Sequence, residues 1–90
     1  MQDVEAFMTK LNSDMRERKA TDFRMVRLQN DIRRMAKDRM SVERSGDTKR
    51  IGEFNRLFIS KLSELSRIVQ TNGFSNRDEV ASIVRRIKAQ

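Results

Sequence analysis

Ninety residues with no proline, three glycines and a charged fraction of 37% describe a small helix-forming chain rather than a β-rich one. Twenty basic against 13 acidic residues leave a net charge of +7, which favours nucleic acid, an anionic membrane surface or an acidic protein as partner. Histidine and cysteine are absent. That removes the usual neutral-pH acid–base group, the nitrogen and sulfur ligands of zinc sites and every Ser-His or Cys-His arrangement, so the composition points away from an enzyme and from a cofactor.

The apolar fraction of 37% is low for a globular domain. A chain this short buries only a modest core, and sharing an apolar face with a second copy would enlarge it, so a homo-oligomer is expected. No apolar run reaches the length of a signal peptide or a membrane span, and the expectation is a soluble, intracellular protein of one helical domain over residues 1–90.

In chain order, Val4, Phe7, Met8, Leu11 and Met15 recur at helical spacing, with Asp3 and Glu5 near the start, where the helix dipole favours negative charge. Around Lys19 to Asp22 the apolar register shifts, and the stripe then runs through Met25, Leu28, Ile32, Met35 and Val42. Either one long helix over 2–44 changes its buried face, or the chain breaks near 19–22 and Thr21 caps a new helix. The continuous or gently kinked helix is the expectation carried forward.

Ser45-Gly46-Asp47 is the clearest punctuation: Gly46 suits a left-handed helix stop and Asp47 an N-cap, which makes an antiparallel hairpin. The next helix, over 48–71, places Ile51, Phe54, Leu57, Phe58, Leu62, Leu65, Ile68 and Val69 in an arc of roughly 120–140°, wide enough for a bundle core. Asn72-Gly73 ends it. Ser75 with Asp78 resembles a capping box, Phe74 sits at the staple position, and a last helix over 75–89 carries Val80, Ile83, Val84 and Ile87. The expected fold is all-α: a helical hairpin with a third, C-terminal helix in a small bundle. Folding the hairpin about Gly46 sets Lys61 opposite Asp31 and Arg39 opposite Glu53, and such pairs at seam positions fix register.

Two surfaces compete for a function. Phe54, Phe58, Leu62 and Leu65 with Val80, Ile83 and Ile87 form a candidate protein interface, and the first expectation is an interaction or adaptor module that self-associates or binds a partner protein through these apolar faces. On a continuous helix, Arg16, Lys19, Arg27, Arg33, Arg34, Lys37 and Arg44 fall within roughly a 120° sector that suits a phosphate backbone. Phe23 and Val26 share that sector. The alternative is therefore a basic nucleic-acid-binding accessory protein.

Overall fold

The computed structural model describes residues 2–17, 23–73 and 77–89. They form four helices and, among the described residues, no strand: α1 (Gln2–Glu17), α2 (Phe23–Arg44), α3 (Thr48–Thr71) and α4 (Arg77–Ala89). The long helix expected over 2–44 is thus two helices. On one straight helix Glu5 and Arg33 would lie about 42 Å apart, yet the Arg33 Nε sits 3.6 Å from Glu5. The register shift marks a reversal of direction, not a change of buried face. Each half of 2–44 carries its own apolar stripe, and folding one against the other buries both. Thr21, Phe74 and Ser75, assigned capping and stapling roles above, lie outside the described residues.

The helices that approach closely are the consecutive pairs and, in addition, α1 with α4, so the contacts close into a ring. Direction follows from the ion pairs. Asp3 bonds Arg86, and Lys10 bonds Glu79 at 2.9 Å, so moving seven residues up α1 moves seven back along α4. Lys61 Nζ lies 3.6 Å from Asp31, the hairpin pairing read from the sequence. The topology is an up-and-down four-helix bundle.

Its core runs down the middle of that ring. Phe58, Leu62, Leu65 and Val69 of α3 are fully covered, as are Met25 and Ile32 of α2, Val4 and Met8 of α1, while Val80, Ile83 and Ile87 close it from α4. Leu57, expected on the same arc, lies about 100° round α3 from Phe58 and is 53% exposed. Gly46, with φ 69°, takes the left-handed turn; a Cβ there would meet no atom within 4 Å, so the demand is on backbone conformation alone. Asp47 accepts from the Lys49 and Arg50 amides at 3.1 and 3.2 Å and caps α3.

The hairpin helices have 22 and 24 residues, against 16 in α1 and 13 in α4. Because Asp3 and Glu5 meet Arg86 and Arg33, the start of α1 and the end of α4 lie beside the middle of the hairpin. The last two turns of α2 and the first two of α3 run on together by about 13 Å. There Ile51 and Phe54 are only half-buried.

Two outcomes are expected from this packing. Phe58→Ala should cost about 3–5 kcal/mol, enough to leave a chain of this size largely unfolded in thermal melts; a shift of Tm under 5 °C would contradict the central placement of this ring. The second concerns pH. The Lys10 ammonium bonded to Glu79 holds that carboxyl below its ordinary value of 4.5, and the same bond lifts Lys10 above 10.5. A carboxyl depressed by folding stabilises above its unfolded value, and the contribution is lost as pH falls through the folded value. The raised lysine contributes below 10.5 and loses that as pH rises through its folded value. Both groups are solvent-screened, so the effect is small. Urea midpoints should fall between about pH 7 and pH 3, and fall less for Glu79→Gln, which lacks the pair already at neutral pH.

Candidate polyanion-binding face

The residues named from sequence as a protein interface are the chain's own core. Phe58, Leu62, Leu65, Val80, Ile83 and Ile87 are buried, and Phe54 is half-buried with its ring stacked on Phe58 at 6.2 Å. They are closed to a partner while the bundle is intact. Their periodicity is that of a stripe needing cover, and periodicity alone does not say whether the cover comes from the same chain.

The seven basic residues named as a polyanion site are divided by the reversal. Arg16 is exposed in the last turn of α1, and Lys19 lies outside the described residues. The other five stay together on α2. Arg27, Arg34, Lys37 and Arg44 are exposed; Arg33, at the margin, is half-buried and turned to Glu5.

At about 100° per residue, Arg27, Arg34, Lys37 and Arg44 occupy one side of α2, spaced seven, three and seven residues apart over roughly 25 Å. Asn30 and Ser41 lie between them, and no carboxylate does. The acids of the same helix point elsewhere: Asp31 to Lys61, and Glu43 to Arg39 at 3.1 Å, with exposed Asp38 beside the row. Apolar side chains edge it, with Phe23 86%, Met40 61% and Val26 46% exposed. Where α1 begins, a cleft opens between Glu5 and the α2 residues Arg33, Ala36, Lys37, Arg39 and Met40.

Arg39 departs from its expected pairing. It is buried at 4% exposure and meets Glu43, one turn along its own helix, rather than Glu53. Glu53 lies about 140° round α3 from Phe58 and is exposed to solvent, so symmetry about Gly46 does not bring the two together. A buried guanidinium needs its carboxylate close by, and the i,i+4 partner on the same helix provides it.

Sequence reasoning also missed a second row. On α3, Lys49, Arg56 and Arg67 are exposed and fall within about 20° of one line along the helix, over roughly 27 Å. Ser60 and Ser63 lie alongside. The spacings of seven and eleven residues were the available signal, masked by the apolar stripe on the opposite side of the same helix.

No protein family, curated protein or solved structure matches the chain.

Proposed function

We propose that this chain is a non-enzymatic binding module that holds duplex nucleic acid by its phosphates, with the outer side of α2 as the contact. The observation that carries the proposal is the acid-free row of Arg27, Arg34, Lys37 and Arg44, which the bundle leaves open while consuming the apolar stripes. Charged donors spaced along a rigid helix reach successive phosphates without reading base edges. Single strands are the poorer fit, since stacking successive bases takes several exposed rings: the chain has neither tryptophan nor tyrosine, Phe7 and Phe58 are buried, Phe54 is half-buried, and Phe23 is the one exposed ring among the described residues.

A second reading, an acidic partner protein on the same side of α2, is favoured by one observation. Phe23, Val26 and Met40 edge the row, and arginine, methionine and aromatic residues with few acids are the composition of a protein interface.

Titration of a labelled duplex of about 30 base pairs against salt tests the proposal. The expected log–log slope is about −3 to −4, one phosphate per cation of the row. Arg34→Glu with Lys37→Glu should weaken binding at least tenfold and flatten the slope by about 2, with helicity unchanged. Wild-type binding that is absent at low salt would remove the nucleic-acid reading and leave the acidic protein.

A further inference from the structure

We infer that the second row, Lys49, Arg56 and Arg67 on α3, is a separate phosphate-binding ridge, so that one molecule bridges two duplex segments. The inference rests on the duplex-binding proposal above and extends it to a site on a different helix.

Three observations carry it. Both ridges lie on the outer sides of adjacent helices, away from the buried stripes of α2 and α3, and are therefore fixed by one rigid hairpin. Each pairs cations with small polar groups, Asn30 and Ser41 on α2, Ser60 and Ser63 on α3, and the nearest acids lie to one side of each row, Asp38 about 20° round α2 from Arg27 and Glu53 about 40° round α3 from the line of Lys49 and Arg67. The strip between them has a different character. Lys61 is bound to Asp31 across it, and exposed Asp38 of α2 and Glu53 and Glu64 of α3 lie round their helices from the rows toward that bridge. A groove beside it is lined by Arg24, Arg27, Asp31, Lys61 and Glu64. A single polyanion laid across both ridges would rest on those carboxylates, and like charges brought together in an interface are costly. In an up-and-down bundle the outer sides of neighbouring helices face different directions. Two duplexes, one on each ridge, satisfy both rows and leave the carboxylate strip in solvent.

The experiment mixes the full chain with a biotinylated duplex on beads and a fluorescent duplex of unrelated sequence in solution, at about 50 mM salt. Wild type should retain the fluorescent duplex on the beads. Arg56→Glu with Arg67→Glu should bind a free duplex in anisotropy within about threefold of wild type and lose at least tenfold in bead retention. Arg85→Glu with Lys88→Glu on the exposed side of α4 makes the same change in net charge and should retain bridging. Circular dichroism checks that each variant is folded. The inference is overturned if wild type binds a duplex without bridging, if the α3 variant bridges as well as wild type, as a dimer using two α2 ridges would, or if the α4 control loses bridging equally. Failure of wild type to bind any duplex would instead remove the reading on which it rests.

Discussion

Phe58, Leu62, Leu65 and Val69 turn one side of α3 into a surface that water cannot be allowed to touch, and the rest of the molecule is arranged to meet that condition. Each such side chain is worth about 1.5–3 kcal/mol when covered. A single partner helix covers only part of an arc this wide. α2 supplies one wall through Met25 and Ile32, α4 a second through Val80, Ile83 and Ile87, and α1 completes the ring with Val4, Met8 and Leu11. Covering the stripe within one chain has a further effect, because it decides which surfaces are left. What remains outside on α2 and α3 is mostly polar, with cations gathered in rows and Phe23, Val26, Met40 and Leu57 exposed among or beside them.

The helices themselves were largely legible in the sequence. The stop at Gly46, the cap at Asp47, the extent of α3 and the Asp31–Lys61 pairing follow from local chemistry and from the geometry of a short turn. The reversal between α1 and α2 was visible as a register shift around residues 19–22, but no glycine or proline marks it, and a shifted stripe fits a long helix that changes partners equally well. Arg39 shows a different limit. Its place on the seam was readable; its burial and its choice of Glu43 depend on how far round α3 Glu53 lies, which is a tertiary fact.

The candidate site was half legible for the same reason. Five of its basic residues share α2 and stayed together; Arg16 was assigned to them only by assuming a helix that does not exist. The α1–α4 clasp of Asp3, Lys10, Glu79 and Arg86 joins residues near opposite ends of the chain, and no local pattern announces such a pairing. Once the bundle is drawn, the buried apolar stripes and the exposed cation rows fall on opposite sides of α2 and α3, with Phe23, Val26 and Met40 left outside beside the α2 row. Periodicity identifies both, but only the assembled ring says which faces inward.

The ring closure between α1 and α4 has a kinetic consequence. Every other neighbouring pair is joined by a short connection, so those contacts form at small cost in chain entropy, whereas joining the first helix to the last closes a loop of most of the chain. That step belongs late in folding, after the α2–α3 hairpin has formed. The clasp then acts as a latch on escape rather than a guide to assembly: Lys10→Ala is expected to speed unfolding while leaving the refolding rate nearly unchanged. A chevron plot in which the refolding arm slows instead would place the clasp in the nucleus.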